Sequence, residues 1–322
     1  MEILTTFILS CISTVVFSQF DPEIDTSKYT SYRLSVRIAS NRIKIDSTNA
    51  EAYLQRGYYL FLLKDFDASL RDTDKFISLE PKVASAYQSR AKVSYSQGNI
   101  DQAIQDINKA ISLEPDNIDM INDRSTLYYK AGNYEACKKD LLYLLKKDPE
   151  NLSFLLYLGY CETKQKNYSK AITHFQTLIS KDSLYKEAYN NLGFCYYSLG
   201  DNIKALKAIN KALEIDPRYP EAYDKRSQVW MATGDYKKAL EDLNKALSLY
   251  PFLSTSLNNR ALIYLEMKQY SDALGDMNLL LQTAKPTADL LIIRAQIYKE
   301  MGNFELMEQD LKIAEVLLSQ EK

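Results

Sequence analysis

The chain has 322 residues and a net charge of −2, from 40 Lys and Arg against 42 Asp and Glu, and 46% of its residues are apolar. That balance supplies a hydrophobic core and leaves no cationic excess for a phosphate backbone, which argues against a disordered chain and against a nucleic-acid binder. A single His, and 4 Cys without a CxxC pair, argue against a Ser–His–Asp triad, a His-rich metal site and a disulfide-stapled mini-domain.

The N-terminus comes first. Residues 3–17 (ILTTFILSCISTVVF) form a moderately apolar run, and Val16 and Ser18 place small residues at the −3 and −1 positions of a cleavage site before Gln19. The pattern resembles a secretory signal peptide with the FSQ ending of Bacteroidota-type bacteria. It departs from that pattern in carrying Glu2 and no Lys or Arg ahead of the run. As a helix the run would reach only about 22 Å, short of a ~30 Å hydrocarbon core. A cleaved signal over 1–18 is therefore expected, then a short tether over 19–27 and export to the periplasm or the exterior. Membrane contact is expected only if residues 3–17 stay attached.

From residue 50 onward the sequence repeats itself every 34 residues. Pro81, Pro115 and Pro149 keep that step, as do Gly98 and Gly132, and Ala171, Ala205, Ala239 and Ala273. Eight copies begin at Ala50, Ala84, Ile118, Leu152, Lys186, Pro220, Ser254 and Ala288. Each predicts a helix of about thirteen residues, a Gly or Lys turn, an Asn or Asp cap such as Asn99, Asn133, Asp201 or Asp235, and a second helix stopped near Pro. Small residues recur at the eighth position (Gly57, Ala91, Gly193) and the twentieth (Ser69, Ala103, Cys137, Ala205), where helix axes approach closely. Residues 28–46 (KYTSYRLSVRIASNRIKID) fit a lone second helix in the same frame, so 28–49 is expected to cap the N-terminal edge.

The seventh position is Arg in six copies: Arg56, Arg90, Arg124, Arg226, Arg260 and Arg294. The twenty-third is Asp in the same six: Asp72, Asp106, Asp140, Asp242, Asp276 and Asp310. In the other two copies Leu158 and Leu192 stand at the seventh position, with His174 and Ala208 at the twenty-third. The two positions change together, so they are expected to form a ladder of structural ion pairs. The pairing could lie within a repeat or between neighbours. Cys137, Cys161 and Cys195 read as buried thiols.

SAYQSRAKVSYSQGNIDQAIQDINKAISLEP (85–115) and EAYNNLGFCYYSLGDNIKALKAINKALEIDP (187–217) resemble the tetratricopeptide repeat in period, layout, small positions and terminal Pro. The resemblance covers all eight copies. It implies an all-α solenoid, a right-handed superhelix whose first helices line a concave groove, and exported proteins built of this repeat alone. It further implies a non-catalytic scaffold for a protein or peptide partner, with no cofactor and no metal. Carrying over the family's groove positions selects Tyr157, Tyr160, Asn190, Asn191, Phe194, Tyr197, Lys225, Asn258 and Asn259, with Asp224 and Gln228 in the same rows. The carboxylate clamp of chaperone-binding relatives is expected to be absent, because Leu156 and Tyr160 replace its Lys and Asn. The rival expectation is a structural subunit of a cell-envelope complex, anchored by residues 3–17. No nucleotide loop, HExxH or nucleophile elbow is present, so an enzyme is not expected.

Overall fold

The computed structural model describes residues 26–320, so the export signal expected over 1–18 and most of the expected tether lie outside the described residues. The described residues form seventeen helices and no strand. The first, α1, covers Thr26–Ile45. It takes in Thr26 and Ser27, which the sequence placed in the tether. It stops before Asp46, whose carboxylate accepts the Thr48 N–H and hydroxyl in a tight turn.

Sixteen helices follow, two to a repeat. They are α2 (Ala50–Leu62) with α3 (Phe66–Leu79), α4 (Ala84–Ser96) with α5 (Ile100–Leu113), and α6 (Ile118–Lys130) with α7 (Tyr134–Lys147). Next come α8 (Leu152–Lys164), α9 (Tyr168–Lys181), α10 (Lys186–Ser198) and α11 (Asn202–Ile215). The last are α12 (Pro220–Ala232), α13 (Tyr236–Leu249), α14 (Ser254–Glu266), α15 (Tyr270–Thr283), α16 (Ala288–Glu300) and α17 (Phe304–Gln320). The chain divides into two compact units, α1–α8 through Gln165 and α9–α17 from Lys166.

Local chemistry sets the helix ends. Every turn inside a pair crosses the left-handed region at the fifteenth position, where Gly98, Gly132, Gly200, Gly234 and Gly302 have φ between 75° and 84°. Lys64, Lys166 and Lys268 occupy the same turn with φ of 63°, 61° and 59°. Each Lys carries a cost of about 1–2 kcal/mol that a glycine avoids. Second helices open on Asn or Asp, except α15, which opens on Gln269 without a side-chain cap bond. Asn133 accepts from the Ala136 amide at 3.2 Å, Asp201 from Lys204 at 3.0 Å and Asp235 from Lys238 at 3.2 Å. Asn99 sits at the same cap but its side chain makes no cap bond. There the helix starts on backbone alone, with the Ala103 amide donating to the Asn99 carbonyl at 3.1 Å.

Small residues bring paired helices together. Ser69 Oγ donates to the Gly57 carbonyl at 2.7 Å. A Cβ on Gly193 would lie 2.4 Å from Ile209 Cγ1 and 3.1 Å from the Ala205 carbonyl. Around these contacts, continuous clusters such as Tyr87, Ala91, Ala103, Ile107, Ala110 and Met120 bury the apolar stripe of each second helix.

The six arginines form one motif. Arg124 Nε donates to Asp140 Oδ2 at 2.8 Å and Nη2 to Oδ1 at 2.7 Å, a fork-to-fork pair inside one repeat. Its third arm, Nη1, donates to Asn108 Oδ1 at 3.0 Å, on the second helix of the preceding repeat. The other five repeat this with Ser40, Asp74, Asn210, Asn244 and Asn278 as the third partner. Each guanidinium also lies over a Tyr ring at 5.5–5.8 Å: Tyr53, Tyr87 and Tyr223 one turn before it, or Tyr128, Tyr264 and Tyr298 one turn after. The hydrogen bonds to aspartate raise every one of these arginines above its ordinary pKa against the cost of burial. Pairing is thus within the repeat, and the tie between repeats runs through the third arm.

Two measurements check this packing. Arg124→Ala strands the buried Asp140 carboxylate and is expected to cost about 3 kcal/mol, whereas Arg124→Leu with Asp140→Ala, the composition of repeat five, should fall within about 1 kcal/mol of the parent. Urea unfolding followed by circular dichroism in a double-mutant cycle reads this, and strictly additive costs contradict it. Gly193→Ala should cost about 1–3 kcal/mol through overpacking against Ile209. Gly57→Ala, with Asp72 Cβ at 3.3 Å, should cost less, and equal melting temperatures for the two variants contradict the close approach.

Candidate partner-binding site

In the first unit, the expected Tyr157 and Tyr160 lie on α8. They belong to a row of rings that also takes in Tyr129 and Tyr134. Tyr129 meets Tyr134 at 5.7 Å and Tyr157 at 5.9 Å, and Tyr157 meets Tyr160 at 5.6 Å, all edge to face. Tyr157 is 38% exposed. Burial first, then Cys161 and the neighbouring rings, pushes the Tyr129 hydroxyl up to about 12, so it stays a neutral donor at neutral pH. Tyr129 was not selected from the sequence, although it holds the same twelfth position as Tyr197. Nearby, Gln88 Nε2 donates to Asp123 Oδ2 at 2.6 Å, and Lys92 Nζ lies 3.2 Å from the same oxygen. The carboxylate on this face therefore has its cation.

Repeat four shows what replaces the arginine. Leu158 is buried in a cluster with Leu141, Phe154, Cys137 and Cys161. The two sulfurs approach to 3.3 Å. The bond to Cys161, followed by burial, pushes the Cys137 thiol far above its ordinary range, which makes it a poor nucleophile. Glu162, buried on α8, takes Lys138 Nζ of α7 at 3.1 Å.

In the second unit, α10, α12 and α14 carry the remaining expected residues in register. Asn190, Asp224 and Asn258 hold the fifth position of successive repeats, and Asn191, Lys225 and Asn259 the sixth. Phe194 is half-buried. It packs edge to face on Tyr168 at 6.3 Å and carries Lys225 Nζ 4.6 Å from its centroid. The aromatic residues selected in repeats four and five thus fall into two groups, one in each unit.

The amides are less open than the resemblance implied. Asn191 Nδ2 donates to the Glu187 carbonyl of its own helix at 2.7 Å, which takes up one of the two N–H groups that could hold a peptide backbone. Asn190 is only 4% exposed, because its amide turns inward to donate to the Tyr219 hydroxyl at 3.4 Å. Tyr197 is half-buried against the Ala205, Ile209 and Ala212 cluster, a packing role. The oxygens Asn190 Oδ1 and Asn258 Oδ1 are buried without a hydrogen-bond partner. Asp224 Oδ2 accepts from Gln228 Nε2 at 2.9 Å, and Oδ1 accepts from Ser256 Oγ at 2.8 Å and Asn259 Nδ2 at 3.4 Å. Burial, then the charges of Glu187 and Glu221, raises the Tyr219 hydroxyl well above the phenol range. This face is therefore rich in acceptors.

Among the described residues, no group of three His, Cys, Asp or Glu is placed to hold a metal ion. No described helix is long and apolar enough to cross a membrane.

Family models described as tetratricopeptide repeat match residues 84–117, 122–183, 187–219 and 220–253, which together make up about half of the chain. A tetratricopeptide-repeat protein of known structure from Parabacteroides merdae is 20% identical, with a TM-score of 0.57 over 73% of this chain and 93% of that one. The type IV pilus biogenesis factor PilW is 21% identical, with a TM-score of 0.53 over 60% of this chain and 90% of that one. At these identities the likeness is one of fold. No curated protein matches the chain.

Proposed function

The chain belongs to the tetratricopeptide-repeat family, and on that premise we propose that it is a non-catalytic scaffold holding a peptide or protein on the α10–α12–α14 face of its second unit. One observation carries the reading. Asn190 Oδ1 and Asn258 Oδ1 lack hydrogen-bond partners in one row of first helices, and native proteins leave few such groups without a use. The half-buried Phe194, with Lys225 over its ring, adds a ring face and a cation beside that row. The Phe194 ring and the two amide oxygens together suit an extended segment, with a side chain taken by the ring and main-chain N–H groups by the oxygens.

A second reading, a permanently docked subunit of an envelope complex, is favoured by α17. That helix exposes Phe304, Leu311 and Leu318 at seven-residue spacing along one side, an apolar surface of the kind that marks a lasting interface.

Capture from envelope and medium fractions separates the two. The bait is residues 19–322, run beside Phe194→Ala with Lys225→Ala at matched helicity. Loss of a captured partner from the double variant is the expected result. Retention moves the interface elsewhere and favours the α17 reading. Export is proposed from residues 1–18, and the intact mass of protein taken from native cells should then correspond to a chain beginning at Gln19. A mass that includes residues 1–18 in the envelope fraction would instead mean a retained anchor.

A further inference from the structure

Buried carboxylates in this protein follow one rule with one exception. Eight are buried among the described residues. Six are the ladder aspartates, each held by an arginine at 2.6–2.7 Å. The seventh, Glu162, has Lys138 Nζ at 3.1 Å. The eighth is Asp224, only 2% exposed, which makes no ion pair among the described residues. Its three donors, Gln228, Ser256 and Asn259, are neutral. Burying a carboxylate without a counter-charge is expensive, and neutral hydrogen bonds offset only part of the cost.

The exception stands in the proposed binding face. Asp224 lies 34 residues after Asn190 and 34 before Asn258, at the same position of successive first helices. Those two amides carry two of the three buried side-chain oxygens without a hydrogen-bond partner among the described residues, the third being Gln165 Oε1 in the first unit. Three consecutive repeats thus present two acceptors without a donor and, between them, a carboxylate without a cation. The nearest described cation in sequence, Lys225, is directed over the Phe194 ring at 4.6 Å. Glu187 and Glu221 stand on the same two helices, and the cation beside them, Lys186, is paired with Asp216 and lies over the Tyr219 ring.

We infer that Asp224 is the receiving half of an ion pair whose cation arrives with the partner, so that the α10–α12–α14 face selects a segment bearing a Lys or Arg side chain. This rests on the binding face proposed above and names the chemistry it takes. The partner's ammonium or guanidinium supplies the missing charge to Asp224, and main-chain N–H groups on either side of that residue suit Asn190 Oδ1 and Asn258 Oδ1, one repeat away in each direction. The polarity is the reverse of a carboxylate clamp, which uses Lys and Asn to hold an anion.

The test uses the full chain and three fluorescein-labelled peptides, GSKRKSG, GSQMQSG and GSEEESG, titrated by anisotropy to millimolar protein. Wild type should bind GSKRKSG and neither of the others. Asp224→Asn keeps the size of the side chain and an acceptor for Ser256 and Asn259, lets the Gln228 amide flip to accept from the new NH2, and removes the charge. It should weaken GSKRKSG by about tenfold or more, while the melting temperature of the free protein stays the same or rises, because a lone buried charge is gone. A structural carboxylate behaves the other way, with Asp224→Asn lowering the melting temperature by several degrees and leaving binding intact, and that result overturns the inference. Equal binding of GSKRKSG to wild type and variant shows attraction to the general surface and also overturns it. If GSQMQSG binds as tightly and is lost in Phe194→Ala with Lys225→Ala, the binding face stands and its preference for a cation does not. Binding of none of the three removes the cation inference and leaves the binding face to the capture experiment. Displacement of GSKRKSG by an equal concentration of spermidine would assign the site to a free polyamine rather than a side chain.

Discussion

The guanidinium clamp is the contact on which the repeat geometry turns. Each arginine uses two N–H groups to hold the aspartate sixteen residues ahead and a third to hold a residue sixteen behind. One side chain thereby ties three helices: the second of the preceding repeat, its own, and the second of its own repeat. The planar fork tolerates little sliding, so the interaction defines register as well as contact. A tyrosine one turn away lies over the guanidinium and excludes water from one side. The ring comes from the fourth position in three repeats and the eleventh in the other three, so the contact is kept while its source changes.

A buried ion pair of this kind contributes modestly to net stability, since desolvation cancels much of the attraction. Repeats four and five show the same thing from the other side. Leu158, Leu192 and Ala208 stand where Arg and Asp stand elsewhere, and all three are buried. The apolar version packs, and Cys137 and Cys161 fill space beside Leu158. What disappears is the third arm that ties one repeat to the next. In the first unit its place is taken by a different tie, Lys138 to Glu162. Two chemically distinct solutions therefore serve one geometric requirement, and both keep every carboxylate they bury beside a cation.

Asp224 gains its meaning against that background. It departs from a rule the rest of the protein obeys, and it does so on helices that also hold two amide oxygens without partners. Strain of this kind is tolerated where binding relieves it. A face assembled from consecutive first helices suits such a purpose, because its side chains rise from rigid helices at fixed spacing and need little reorganisation on binding.

Much of this was legible in the residues alone. A 34-residue period, small side chains at the eighth and twentieth positions, and left-handed turns at the fifteenth follow from local sterics, and the helices fall where those signals stand. The joint loss of Arg and Asp in repeats four and five announced a contact, because only touching residues need to change together. The sequence could not say which helices the arginine spans, since the same spacing serves a pair within a repeat or across two. Nor could it distinguish Asn190 from Asn191, adjacent residues of one type. The helix turns about 100° between them, which sends one amide into the interior towards Tyr219 and leaves the other bonded along its own helix. That Asp224 is the buried carboxylate without a cation was decided by tertiary structure alone, because burial and pairing depend on side chains brought by α12 and α14, whose contributing residues lie 32 and 35 positions apart in the chain.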